Sequence, residues 1–172
     1  GRIAAELGEE LADITAALER LAEVAHAAQL PPPGEGDHLA NPPPLVATLQ
    51  LRRGSPNPPA YPPASAPLQK AAFPDIEPLI LAVPPAEAFR RADQAATSLG
   101  WDVVARAPAE GRLEAIATSK WFGFRDDIVV RIRPQGTGSR VDIRAKSRIG
   151  ESDLGGNAER IRTFLARLKV ES

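Results

Sequence analysis

The sequence predicts an α+β fold: an antiparallel sheet of four to five strands with two helices packed on one face, preceded by a proline-rich strap and an N-terminal amphipathic helix. Three observations carry this expectation. Apolar residues alternate with a period of two in several short segments after residue 76, the signature of half-buried strands. Two segments with helical periodicity accompany them, one after the first strand and one at the C-terminal end. Sixteen of the 18 prolines fall between Pro31 and Pro85, which separates a helical N-terminal stretch from the alternating region. The expected boundaries are 1–30 for the amphipathic helix, 31–72 for the proline-rich linker or strap, and 73–172 for the compact α+β domain.

From Arg2 to Gln29 the apolar positions Leu7, Leu11, Ile14, Leu18, Leu21 and Ala25 are spaced 4, 3, 4, 3, 4, a narrow stripe of the heptad kind. Pro31-Pro32-Pro33 ends that helix, because proline has no N–H for the ladder and biases the preceding residue away from helical geometry. The stripe needs a partner, which is either its own domain or another chain; residues 3–28 are thus the candidate segment for self-association or for a protein partner. The prolines that follow favour extended backbone, and the apolar residues between Leu45 and Arg53, with Tyr61, favour a strap laid over the domain rather than a detached spacer.

Glu77–Val83 reads as a strand, and Pro84-Pro85 then starts a helix with Ala86, Phe89, Ala92, Ala96 and Leu99 on one face and Gly100 as its stop. Trp101–Arg106 and Arg112–Lys120 form a hairpin around a turn at Pro108–Gly111. Asp127–Arg133 and Arg140–Lys146 form a second hairpin across Gln135–Gly138. A last helix, Asn157–Val170, turns Ala158, Ile161, Phe164, Leu165 and Leu168 inward.

Composition narrows the chemistry. With 172 residues, 21 basic against 22 acidic side chains and a net charge of -1, the chain has no global pull toward nucleic acid, and no nucleic-acid partner is expected. The absence of cysteine excludes disulfides, thiolate metal sites and cysteine nucleophiles. Its two histidines, His26 and His38, sit in the N-terminal helix and the strap without a triad or a metal-ligand spacing, so neither a metal nor a cofactor is expected. No apolar run approaches the roughly 20 residues of a membrane span, so membrane association is expected only through a segment upstream of residue 1.

In the second hairpin Ile128, Val130 and Ile132 alternate with Val129, Arg131 and Arg133, and Val141, Ile143 and Ala145 alternate with Arg140, Asp142, Arg144 and Lys146. If the apolar set faces the core, the opposite face is a basic plate, read either as a solvated surface with cross-strand pairs such as Arg131 with Asp142 or as a ligand face. The stretch from Ser147 to Asn157 joins the last strand to the last helix through small and hydrogen-bonding residues, and Arg160 lies on the first helical turn. Arg131, Arg144, Ser147, Arg148, Asn157 and Arg160 are therefore the candidate site for a small anionic ligand. The competing reading is architecture: Asp126, Asp127, Asp142 and Asp153 act as pairing carboxylates, Asp153 or Asn157 caps the helix, and Arg148 pairs with Asp126 or Asp153. Asp126 and Asp127 alternate on a strand, so their side chains point apart, which argues against one shared acid–base site and makes a hydrolase the weakest reading. No catalytic residue is assigned.

Several of these segments together resemble a known family. Phe73-Pro74-Asp75-Ile76-Glu77-Pro78-Leu79, Gly100-Trp101, Trp121-Phe122-Gly123-Phe124-Arg125-Asp126-Asp127, Val141-Asp142-Ile143-Arg144-Ala145-Lys146-Ser147-Arg148-Ile149-Gly150, Ser152-Asp153-Leu154-Gly155 and Asn157-Ala158-Glu159-Arg160 stand in the order of the domain of unknown function family 1499, over about residues 42–169. The resemblance implies a bacterial protein, commonly with membrane-spanning segments ahead of this domain, and a place in the cell envelope; it implies no activity. The element order is also similar to the small helix-grip domains of outer-membrane assembly lipoproteins, a likeness of fold alone. The expected function is a non-catalytic binding or accessory module of the bacterial cell envelope, with a small-ligand domain for an anionic metabolite or lipid headgroup as the alternative.

Overall fold

The computed structural model describes residues 41–120, 123–150 and 155–170. The heptad stripe at Leu7, Leu11, Ile14, Leu18 and Leu21, both histidines, and Asp153 lie outside the described residues. Among the described residues five strands and four α-helices follow in order: α1 (Ala47–Leu51), α2 (Ser65–Ala72), β1 (Leu79–Leu81), α3 (Pro85–Ser98), β2 (Asp102–Ala107), β3 (Arg112–Thr118), β4 (Arg125–Gln135), β5 (Gly138–Ser147) and α4 (Gly156–Val170). The strands form one antiparallel sheet in the order β1-β5-β4-β3-β2, so the first strand returns beside the last and β4 lies at the centre.

Local chemistry accounts for the elements. Pro84 is extended and Pro85 occupies the first turn of α3, where its missing N–H costs nothing. Ala88, Ala92, Ala95 and Ala96 then present a buried face of small side chains around Phe89, which lets the helix approach the sheet closely. α4 buries Ala158, Phe164, Leu165 and Leu168, and Phe164 stacks on Trp101 with ring centroids 5.2 Å apart. Both helices cover the sheet face made by Leu113, Ala115, Ala117, Ile128, Val130, Ile132 and Val141. Each large apolar side chain buried there contributes roughly 1.5–3 kcal/mol.

Turn residues fix the hairpins. Gly111 closes the β2–β3 turn at φ 63°, and its carbonyl accepts the Ile132 amide at 2.7 Å; a Cβ at this position would lie 2.1 Å from the Ile132 carbonyl oxygen. The β4–β5 hairpin turns in two residues between the paired Gln135 and Gly138, with Gly136 at φ 57°.

Three features differ from the sequence expectation. α1 and α2 are helical inside the proline-rich region, where extended backbone was expected. β1 spans three residues rather than Glu77–Val83: Pro78 offers no N–H, and the Ile76 amide turns back to the Phe73 carbonyl at 3.1 Å. The basic face of the sheet is not a solvated plate, because residues 41–59 lie across it, burying Leu45, Thr48 and Arg52 together with Glu114, Asp127, Val129, Arg131 and Asp142.

Candidate functional site

The strap is held to the sheet by ionised groups. Glu114, at the middle of β3, has no solvent exposure and accepts the amides of Ala47 and Thr48 at 2.9 Å each, the Val46 amide at 3.1 Å and the Thr48 hydroxyl at 2.8 Å. It caps α1, a helix with no side-chain cap of its own. Burial alone would raise the Glu114 carboxyl, but the donors of Thr48, Ala47 and Val46 outweigh it and hold the group below its ordinary value. Asp127, on β4, is equally buried and accepts Arg52 from the strap and Arg148 from the end of β5, the latter through Nε at 3.1 Å and Nη2 at 2.7 Å. Arg52 also donates to the carbonyls of Asn57 at 3.0 Å and Ser147 at 3.1 Å, and Arg148 to that of Leu51 at 2.9 Å. Asp142 holds Arg131 at 3.1 Å and Arg140 at 3.0 Å, and Arg131 reaches the Asn41 carbonyl at 2.8 Å.

This geometry divides the six residues of the candidate anion site. Arg131 and Arg148 are buried and committed to Asp142 and Asp127. Among the described residues the carboxylate partner of Arg148 is thus Asp127 and not Asp126; strand alternation sends Asp126 to the helix side, where Arg160 binds it at 2.6 Å. Arg160 also donates to Asn157 Oδ1 at 3.0 Å, and Asn157 Nδ2 donates to Ser147 Oγ at 2.9 Å. Arg144, Ser147 and Asn157 instead line a cavity of about 400 Å³.

The cavity runs along the outer edge of β5, between the first turns of α4 and the strap. On the helix side its wall is apolar, with Phe73, Ile76, Ile143 and Ile161; on the strap side stand Pro43, Tyr61, Arg144 and Lys146. Arg144 donates to the Pro59 carbonyl at 2.5 Å and weakly to that of Pro43 at 3.4 Å, and its guanidinium stands 5.6 Å from the centre of the Tyr61 ring. Its Nε is buried with no acceptor. Burial lowers its proton affinity; Tyr61 works against this, and Arg52 adds a smaller lowering effect. Lys146 is also held below its ordinary value, by burial first and then by the charges of Arg144 and Arg52. Among the described residues, neither Arg144 nor Lys146 has a carboxylate partner, whereas their neighbours on the sheet do. Lys146 did not stand out in the sequence as a site residue; the available signal was its place two residues after Arg144 on one strand face.

The architecture is that of an α+β domain with a five-stranded antiparallel sheet and helices. Residues 40–168 match the family described as Protein of unknown function (DUF1499), and the chain belongs to that family. No curated protein matches. Among solved structures, TTHA0849 from Thermus thermophilus is similar at 16% identity with a TM-score of 0.34, covering 56% of this chain and 97% of its own. Ara h 8.0201 is similar at 10% identity with a TM-score of 0.27, covering 55% of this chain and 95% of its own. Neither contributes to the functional reading.

Proposed function

We propose that this protein is a non-catalytic binding module whose cavity takes an anionic ligand with an apolar portion, a carboxylate- or phosphate-bearing metabolite or lipid-derived molecule. The observation that carries the reading is the pair Arg144 and Lys146, two cations at a cavity wall with no carboxylate bound to either among the described residues. Burying like charges side by side is unfavourable, and a bound anion relieves it. The apolar wall at Phe73, Ile76, Ile143 and Ile161 supports an apolar body for the same ligand. The volume of about 400 Å³ lies within the range of small-molecule sites.

Octanoate, octyl phosphate and neutral octanol, titrated calorimetrically, test this. The two anions are expected to bind and octanol to bind at least tenfold more weakly, with Arg144→Gln combined with Lys146→Gln removing the difference. Equal binding of all three, or none, would remove the anion reading. The envelope setting implied by the family resemblance belongs to the same proposal, and fractionation of cells carrying the native protein tests it: recovery wholly outside the envelope fraction speaks against it.

A further inference from the structure

The floor of the cavity is a strand edge. β1 pairs with β5 only from Ser139 to Val141, and Pro78 then turns the chain away, so among the described residues no strand covers the outer side of β5 beyond Val141. Hydrogen-bond parity shows which groups face that opening. The Arg148 amide bonds the Arg125 carbonyl, and Ser147 stands opposite Asp126, so the even-numbered residues of β5 bond to β4. The odd-numbered residues direct both N–H and C=O outward: Ser139 and Val141 face β1, and Ile143 and Ala145 face the cavity. At the far end the Ser147 carbonyl already accepts Arg52 and the Asn57 side chain, which limits the open edge to Ile143 and Ala145.

An edge of this kind pairs with another extended chain, and edges that proteins leave open are usually blunted by charge, proline or cover. Here the edge lies recessed between two walls of opposite character. A strand laid on it would project alternate side chains toward Phe73, Ile76 and Ile161 on one side and toward Arg144 and Lys146 on the other.

We infer that the cavity recognises an extended peptide segment by strand addition to β5 at Ile143 and Ala145, antiparallel and in line with β1, with apolar and acidic side chains in alternation. The inference rests on the anion-binding reading of the same cavity and narrows its ligand to a class with backbone amides. Main-chain hydrogen bonds supply the attachment, and the two walls supply the side-chain preference. Ile143 to Ser147 spans about 13 Å at roughly 3.3 Å per residue, room for three to five residues of a partner segment.

Fluorescence anisotropy with a fluorescein-labelled, acetylated Leu-Glu-Val-Glu-Leu amide tests this on the whole protein, with octyl phosphate measured alongside. The peptide is expected to bind, and two N-methylated versions separate the mechanism. Methylation of the alternate amides that face β5 should weaken binding at least tenfold, while methylation of the other alternate set leaves it within about twofold. Ala145→Pro, which removes one outward N–H without touching the β4 ladder, should weaken the peptide at least tenfold as well. Octyl phosphate binding with no peptide binding, or peptide binding indifferent to both methylation patterns, overturns strand addition and leaves the anion site standing. If neither probe binds, both readings fall.

Discussion

Arg52, which follows the short helix of the strap, donates to Asp127, a fully buried carboxylate on the central strand 75 positions later in the chain. Arg148, just past the end of the neighbouring strand β5, grips the same carboxylate. Asp127 is thereby the point at which strap, centre and edge of the sheet are joined. Its replacement by asparagine keeps the shape and leaves two buried guanidinium groups facing a neutral amide. We expect Asp127→Asn to lower unfolding stability by about 3–5 kcal/mol, the usual result of removing one partner of a buried ion pair. Urea denaturation checks it, and a loss under about 1 kcal/mol, the range of exposed pairs, would mean that the pair is open to water in solution.

Glu114 makes strap attachment dependent on pH. Its folded pKa lies below the ordinary 4.5, so its contribution is fully present above 4.5 and is lost as the pH falls through the lower folded value. Wild type should therefore exceed Glu114→Gln in stability above about pH 5, with the gap narrowing steadily as the pH is lowered past 4.5. Urea midpoints of the two proteins across roughly pH 3–7 measure the gap, and one that stays constant would show that the charge does not hold the strap.

The β4–β5 hairpin was legible because Ile128, Val130 and Ile132 alternate with charged or smaller apolar residues and Gln135–Gly138 carries the chemistry of a two-residue turn. Its counterface was not. Arg131, Asp142 and Arg144 in alternation have the pattern of a solvated strand face, and only a segment about 90 positions away in sequence turns that face into a buried layer. A period-two pattern reports which side is apolar and cannot report what covers the polar side. Glu114 was hidden for the same reason: within Arg112–Thr118 it reads as an outward residue until its donors, the amides at the start of α1, are in place. The cavity depends on β1 beginning only at Leu79, which rests on one proline in a segment whose apolar run reads as a longer strand.

The proposed anion site carries a pH dependence through Lys146. Its free-state pKa lies below the ordinary 10.5, and a bound carboxylate favours the ammonium form, so affinity should fall as the pH rises through that lowered value. Octanoate, which stays ionised throughout, is the probe of choice. Its affinity is expected to decline several-fold between about pH 7 and 10.5 in wild type and to remain level in Lys146→Arg. A flat wild-type profile would place the anion away from this amine.

Gly111 is required by its geometry. At φ 63° an L-residue is strained, and a methyl group would meet the Ile132 carbonyl well inside contact distance. Gly111→Ala is expected to cost at least about 1–3 kcal/mol and to lower the melting temperature accordingly. An unchanged melting temperature would show that the β2–β3 turn rearranges without penalty.

The strap precedes the sheet that receives it, so a ribosome delivers residues 41–59 well before β3, β4 and β5 exist. During that interval the segment has no docking surface: it is proline-rich and attached in the end through backbone amides, carbonyls and Arg52, with Leu45 as its buried apolar anchor. The emerging sheet is matched to it, since the face still uncovered displays Glu114, Asp127 and Asp142 with their arginines beside the apolar Val129. Vectorial synthesis thus sets an order: the strap can dock only once β3, β4 and β5 have formed.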